Sequence, residues 1–214
     1  MSITGAILWV ANVSRPELAF AASQLARFVS NPGEAHHAAA VRVLLFLHGS
    51  SERGLTFTAS AAPLVIYSDS DWSSDFSISG CVAYFRGCAV SWFAKTQKSV
   101  SLSSAEAEYY GASLAAKEGV WLREVLKDLS FEQVGPIPLV LDSKSAIDMT
   151  LDPVAFRKTK HILRAANFLR DLVARRVLKA QHIAGTMMVA DLLTKPLPRQ
   201  TFIHLLALLL QPPV

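Results

Sequence analysis

The stretch LVIYSDSDW (64–72) decides how the rest of the chain is read. Leu64, Val65, Ile66 and Tyr67 form an apolar, partly β-branched run behind Pro63, and Ser68, Asp69, Ser70 and Asp71 come directly after it. A run of this kind, bounded by a proline and a polar cluster, predicts a buried strand over 64–70. A buried strand that ends on carboxylates must offset their desolvation with water, a cation or a metal. Asp69 is therefore the first candidate metal ligand, and the remainder of the chain has to supply its partners.

The composition permits a folded body around such a strand. Of 214 residues, 51% are hydrophobic and 18% charged, which suits a sizeable core and excludes wholesale disorder. The length fits one domain, or one domain with an added fragment. The apolar run at 205–210 falls far short of the roughly 20 residues that span a bilayer. Residues 1–13 lack the basic start and cleavage site of a signal peptide. The expectation is a soluble intracellular protein, cytoplasmic or nuclear, with no membrane partner.

Charge is unevenly placed. The net charge is +4, but 157–179 holds eight basic residues (Arg157, Lys158, Lys160, Arg164, Arg170, Arg175, Arg176 and Lys179) against Asp171 alone. That stretch carries +7 and everything else −3. A basic element on a near-neutral body points to nucleic acid, with a solvated helix face as the competing reading. Cys81 and Cys88 flank Arg86-Gly87, a two-residue turn. Counting outward pairs Phe85 with Cys88 and Cys81 with Trp92, so the thiols are not opposed. A disulfide needs Cα atoms within about 7 Å in a suitable orientation. Both cysteines are expected as reduced strand residues, which fits the cytosol or nucleus.

Residues 1–58 read as helical and separate from the remainder of the chain. Ser14-Arg15-Pro16-Glu17 is a helix start, with Ser14 as cap and Pro16 tolerated in the first turn. Phe20, Leu25, Phe28 and Val29 give a stripe that Asn31-Pro32-Gly33 ends. A second helix over 34–48 carries Ala38, Val41, Leu44, Leu45 and Leu47 and stops at Gly49. His36 and His37 splay about 100° apart on it, which makes them surface residues and poor joint ligands. Strands are expected at 64–70, 80–85 and 88–93. Ser103-Ser104-Ala105-Glu106 then matches the capping box that opens a helix, here to about residue 129. A strand at 137–142, a short helix at 145–151, a basic helix at 159–176, a strand at 177–183 and a short helix at 188–193 complete the order. The hairpin makes one part of the sheet antiparallel and the helical crossovers make the rest parallel.

Four acids fall where such a sheet gathers them. Asp69 is on the first strand, Asp142 ends the fourth, and Asp191 opens the last short helix. Strand ends are where α/β sheets place their sites. Glu106 and Glu108 are two residues apart, about 200° around a helix, so both cannot enter one site. The capping box uses Glu106, which leaves Glu108. Four clustered carboxylates cannot all ionise without cations. An all-oxygen set with no Cys/His partners selects magnesium or manganese over zinc. Two such ions roughly 4 Å apart activate a water and stabilise the leaving oxygen of a phosphodiester. Taken singly, each Asp is explained as well by a turn or cap. Together they point to a metal site.

The motifs YSDSDW (67–72), SISG (77–80), VSWFAKTQKSVSLSSAEAEYYGASLAAKEGVWLREVL (90–126), LVLDSKSAI (139–147), RKTKHI (157–162) and VADLLTKPLP (189–198) carry a resemblance. Residues 64–198 resemble the ribonuclease H domain that closes the polyprotein of copia-type LTR retrotransposons. The combination of SSAEAEY, TKHI and ADLLTKPLP is specific to it. The stretch SRPELAFAASQLARFVSNPGEAHHAAAVRVLLFLHG within 1–58 resembles the reverse transcriptase tail just upstream. The resemblance implies a ribonuclease H-like fold, a five-stranded mixed α/β sheet flanked by helices. It divides the chain into a helical tail (1–58), the ribonuclease H domain (59–198) and a C-terminal helix and tail (199–214). It further implies metal-dependent cleavage of the RNA strand of an RNA–DNA hybrid, with two magnesium ions, or manganese, on Asp69, Glu108, Asp142 and Asp191. The missing polymerase domain is an implied partner.

Hybrid recognition requires phosphate contacts and contacts to the RNA 2′-hydroxyls. Arg157, Lys160 and Arg164 share one helical stripe. Ser143 and Lys144 beside Asp142, and Lys95, Gln97 and Lys98 after the hairpin, are further candidates. Departures from the family pattern are present. No Tyr-x-Asp-Asp run exists, so this chain holds no polymerase site. Ser74-Asp75-Phe76 replaces the usual basic residues before SISG, and 162–167 reads ILRAAN where the family has an acid and an aromatic-His pair. No histidine lies between Gly185 and Asp191; His182 instead stands near the end of the fifth strand, with a structural or a catalytic role. The rivals to an active nuclease are a module that grips hybrids without cutting and a structural remnant.

Overall fold

The computed structural model describes residues 3–57, 60–73, 76–98, 101–151 and 160–210, apart from the side chains of 149, 151 and 160–163. Five strands form one sheet: β1 (Val65–Asp71), β2 (Ile78–Phe85), β3 (Cys88–Thr96), β4 (Ile137–Leu141) and β5 (Leu178–His182). Their order is β3-β2-β1-β4-β5. β1 runs antiparallel to β2, and β2 to β3, because the chain reverses through short connections. β1 runs parallel to β4, and β4 to β5, because helices α4 (Ser104–Asp128) and α6 (Lys160–Ala174) carry the chain back before each next strand. This is the ribonuclease H-like fold expected, with the apolar run of 64–67 feeding its central strand.

Alternation along β1 splits the core in two. Leu64 and Ile66 pack with Leu139, Leu141, the alanine face of α4 (Ala112, Ala115, Ala116) and Ala166 and Leu169 of α6. Tyr67 faces the other way, with Val82, Tyr84, Leu192 and Leu193, and with Leu205 and Leu209 of the last helix, α7 (Arg199–Leu210). Asp69 and Asp71 continue from Tyr67 at period two and so share that second face.

The hairpin register differs from simple counting. Phe85 pairs with Cys88 and Tyr84 with Ala89, as expected. A β-bulge between Ala83 and Tyr84 then pairs Ala83 with Ser91, Val82 with Trp92 and Cys81 with Phe93. The extra residue on β3 is Val90, which is left exposed. Both cysteines are buried free thiols.

The first helices are α1 (Ile3–Val13), α2 (Ala19–Ala26) and α3 (Glu34–His48), with a 3₁₀ turn at Pro16–Leu18. Pro16 takes the first position of that turn, and Arg15, not Ser14, is its cap residue. Arg15 is buried, paired with Glu17 at 2.6 Å and donating to Ser50 Oγ at 2.7 Å. This ties the turn to the end of α3. The buried stripe is Ile7, Ala11, Leu18, Ala22, Leu25 and Ala40. Phe28 and Val29 fall past the end of α2 and are exposed, and Leu44 and Leu45 point outward while Val43, Phe46 and Leu47 pack. A helix rich in apolar residues all round leaves the choice of inner face to its neighbours. These helices also lean on the sheet: Trp92 Nε1 donates to the Ala11 carbonyl at 2.7 Å, and Ala19 joins the second core. Among the described residues no helix is long and apolar enough to cross a membrane.

Candidate active site

The ladder between β1 and β4 ends at Tyr67 opposite Val140. Asp69 and Asp142 each lie two residues further on, so they come abreast where the strands are no longer paired. Glu108, from the second turn of α4, completes a cluster: one oxygen from each of Asp69, Glu108 and Asp142 lies within 4.8 Å of the others. Asp69 is 2% exposed, while Glu108 and Asp142 are half-buried.

The start of α4 aims Glu108. Ser103 has extended backbone (φ −157°), and its hydroxyl accepts from the Glu106 amide at 3.2 Å. Glu106 returns the interaction one residue early, accepting from the Leu102 amide at 2.6 Å, which turns it away from the cluster. Gln97 locks this turn to the sheet. Its Nε2 donates to the Ala107 carbonyl and to Ser79 Oγ, both at 2.9 Å, and its Oε1 accepts from Ser101 Oγ at 2.8 Å. Gln97 is 2% exposed, so the expectation that it touches nucleic acid is corrected. Its polar atoms are consumed in holding α4 on β2.

Asp191 stands apart from the other three acids. It lies in the 3₁₀ helix Val189–Leu193, not at the opening of an α-helix, and is paired with Lys195 Nζ at 3.0 Å. The same ammonium is 3.5 Å from Asp69 Oδ2, to which the Thr194 hydroxyl also donates. Lys195 and Thr194 were not singled out by sequence reasoning. The signal was available in the stretch VADLLTKPLP, where Lys195 stands at i+4 from Asp191.

Electrostatics reflect a crowd of carboxylates with one nearby ammonium. Burial, then Asp69 and Asp142, push the Glu108 carboxyl up to about 9. Burial and Asp69 lift Asp191 to about 7 against the pull of Lys195. Asp142 is raised by burial first and then by Asp69. Burial also raises Asp71, which shares the face of Asp69. Burial opposes the Lys195 ammonium, yet Asp69 and Asp191 hold its pKa above the ordinary lysine range. Carboxyls such as Glu108 and Asp142 that resist ionisation in an oxygen-only pocket are part of a donor set suited to a hard divalent cation.

The candidate nucleic-acid contacts divide. Lys95, Lys98, Lys144 and Arg164 are exposed. Lys95 lies over the Phe93 ring, 4.2 Å from its centroid. Ser143 is half-buried and accepts from the Ala146 amide at 3.2 Å, capping α5 (Lys144–Leu151). Arg157 lies outside the described residues, as does the side chain of Lys160, and so do Ser74 and Asp75. His182 Nε2 is 3.1 Å from the Asp142 carbonyl oxygen, so it touches the main chain of a cluster residue from the end of β5.

No family model matches the chain. It is 35% identical over 205 residues to the retrovirus-related Pol polyprotein from transposon TNT 1-94 of Nicotiana tabacum, covering 94% of this chain and 15% of that protein. It is 32% identical, over 94% of this chain and 14% of the relative, to the corresponding polyprotein of transposon RE1 of Arabidopsis thaliana. A secreted RxLR effector protein of Plasmopara viticola is 44% identical over 127 residues, 57% of this chain and 89% of that protein. Similar solved structures include the N-terminal RNase H domain of a Mycobacterium tuberculosis protein, with 14% identity and TM-score 0.49, over 63% of this chain and 91% of that one. An RNase H1 from compost, solved with an RNA/DNA hybrid, has 15% identity and TM-score 0.47, over 61% and 93%.

Proposed function

The chain is a homologue of a segment of the retrovirus-related Pol polyproteins of plant transposons, about 15% of their length, and from that premise we propose that it is a ribonuclease H. The reaction is hydrolysis of the RNA strand of an RNA–DNA hybrid. The observation that carries this reading is the Asp69, Glu108 and Asp142 cluster at the tips of β1, β4 and α4, with Asp191 beside it.

Asp69, Glu108, Asp142 and Asp191 would hold two magnesium ions, or manganese. When bound there, the metal supplies a water of lowered pKa and neutralises charge at the leaving oxygen. The chain's own residues do the rest. The sheet keeps the Asp69 and Asp142 carboxylates side by side, and the Gln97 clamp fixes the helix that brings Glu108. Water oxygen bonds to the RNA phosphorus in line, the bond to the RNA 3′-oxygen breaks, and a proton returns to that oxygen. The products are a 5′-phosphate and a 3′-hydroxyl. Lys95, Lys98, Lys144 and Arg164, with Arg157, Lys160 and Ser143, are proposed to track the phosphates and 2′-hydroxyls of the hybrid. Residues 1–58 are proposed as the reverse transcriptase tail, 59–198 as the ribonuclease H domain and 199–214 as a C-terminal helix and tail, with a polymerase domain as natural partner.

A labelled RNA–DNA hybrid incubated with magnesium tests the reading. The parent chain is expected to cut the RNA strand, and Asp142→Asn is expected to lose at least ~100-fold, since even groups supporting a metal ligand are worth about 10–100-fold. Binding without cutting by the parent would favour a gripping module, and loss of both would favour a remnant.

A further inference from the structure

The four acids do not form one symmetrical basin. Asp69, Glu108 and Asp142 converge on a common point, whereas the described ion pairs of Lys195 are with Asp69 at 3.5 Å and Asp191 at 3.0 Å. Asp69 belongs to both groups. Between Asp69 and Asp191 a cation is therefore already present, and it is part of the chain. Its place is set by the backbone: the Lys195 amide donates to the Asp191 carbonyl at 3.3 Å, Thr194 is fully buried with its hydroxyl on Asp69, and Pro196 comes next. The Lys195 side chain is 32% exposed, so its ammonium has a route to solvent.

We propose that Lys195 is a built-in competitor for the second divalent cation, occupying the space between Asp69 and Asp191 until that cation displaces it. This rests on the carboxylate cluster being the metal site proposed above. A lysine suits the task because its charge is a compact point on a flexible stem that can swing away. A divalent ion interacts twice as strongly with the same carboxylates and displaces it once concentration suffices. Loading is then sequential. The first cation enters the pocket of Asp69, Glu108 and Asp142, where it shares only Asp69 with the Lys195 ion pairs, and the second binds only at the expense of both Lys195 contacts. The device offsets part of the repulsion between two like-charged carboxylates in the metal-free chain, and it sets the cation concentration above which the site is complete.

Manganese binding to the full chain, monitored by the loss of the free Mn2+ paramagnetic signal, reads this directly without any cleavage assay. The parent is expected to bind one Mn2+ tightly and a second weakly. Lys195→Met keeps the stem and removes the charge; it is expected to bind the second Mn2+ at least ~10-fold more tightly. Its melting temperature in EDTA should fall below the parent's and be restored by Mn2+. Lys195→Arg, which keeps a positive charge, guards against a folding artefact and is expected to retain the weak second step. Two Mn2+ bound with superimposable curves in parent and Lys195→Met would overturn the role of Lys195 alone. No Mn2+ bound by any of the three chains would overturn the metal-site reading, and this inference with it.

Discussion

Glu108 is the carboxyl whose charge the fold opposes most visibly, and its titration has a defined sign. Its folded pKa is raised to about 9 from an ordinary 4.5, by burial and then by Asp69 and Asp142. A raised carboxyl favours the folded state while neutral; that stability is complete below about 4.5 and is lost as pH climbs through about 9. The metal-free chain is therefore expected to melt at progressively lower temperature from pH 5 to pH 9 in EDTA. Magnesium should flatten the slope, because cation binding replaces the proton. A melting temperature that rises over that interval in EDTA would contradict this. At neutral pH the same linkage predicts proton release on magnesium binding, visible as a buffer-dependent heat in calorimetry. His182 tests a different level of involvement. It meets the main-chain oxygen of Asp142 and acts on that carboxyl less than any other named group, so His182→Ala is expected to change Mn2+ affinity little and to lower multiple-turnover cleavage by less than ~10-fold, well short of the 10²–10⁴-fold typical of a positioned acid or base.

Among the elements, the 3₁₀ helix Val189–Leu193 is the one whose placement assembles the second half of the site. It lies against β2 at Gly80, the register partner of Asp69. A Cβ at Gly80 would stand 2.7 Å from Thr194 Cγ2 and 2.9 Å from the Ala190 carbonyl oxygen, a backbone atom that cannot step aside by rotation. Gly80→Ala is expected to cost about 1–3 kcal/mol, the usual range for overpacking, and to displace Asp191, Thr194 and Lys195 from Asp69. Thermal melts and Mn2+ binding measured together would check it. Gly54→Ala, where nothing lies within 4 Å of the added carbon, is the matching control and should be silent in both. The elements themselves were largely legible in the sequence. The Ser103–Glu106 pattern marked the start of α4, and the run from Leu64 marked β1, because capping and burial act over a few neighbouring residues. The bulge at Val90 was not legible. Nothing local distinguishes the residue that a strand leaves unpaired, since its partner on β2 decides that.

For the molecule as a whole, the N-terminal helices and α7 cover the face of the sheet that α4 leaves bare. Phe46 of α3 meets Phe202 of α7 edge-on, with ring centroids 5.8 Å apart, and Ala11 and Ala19 reach β3 and the second core. Removing residues 1–58 should therefore uncover Trp92 and its apolar neighbours. The truncated chain is expected to bind a hydrophobic dye and to melt at least ~5 °C lower, a shift worth about 1.3–2.5 kcal/mol in a domain of this size. An equally stable truncated chain would show that the helices are dispensable passengers. What the sequence by itself determined was most of the element order and which acids lie at element ends. Apolar periodicity, caps and the acids at element ends are short-range features, and helix geometry alone separated Glu108 from Glu106. What only the tertiary structure decided was which charges meet. Lys195 reaches Asp69 from the far end of the domain, Gln97 turns inward to Ala107 and Ser79, and Leu44 and Leu45 lose the inner face of α3 to Val43 and Phe46. Each of these depends on the close approach of separate elements, and a Coulombic or packing contact between them has no period that a linear sequence displays.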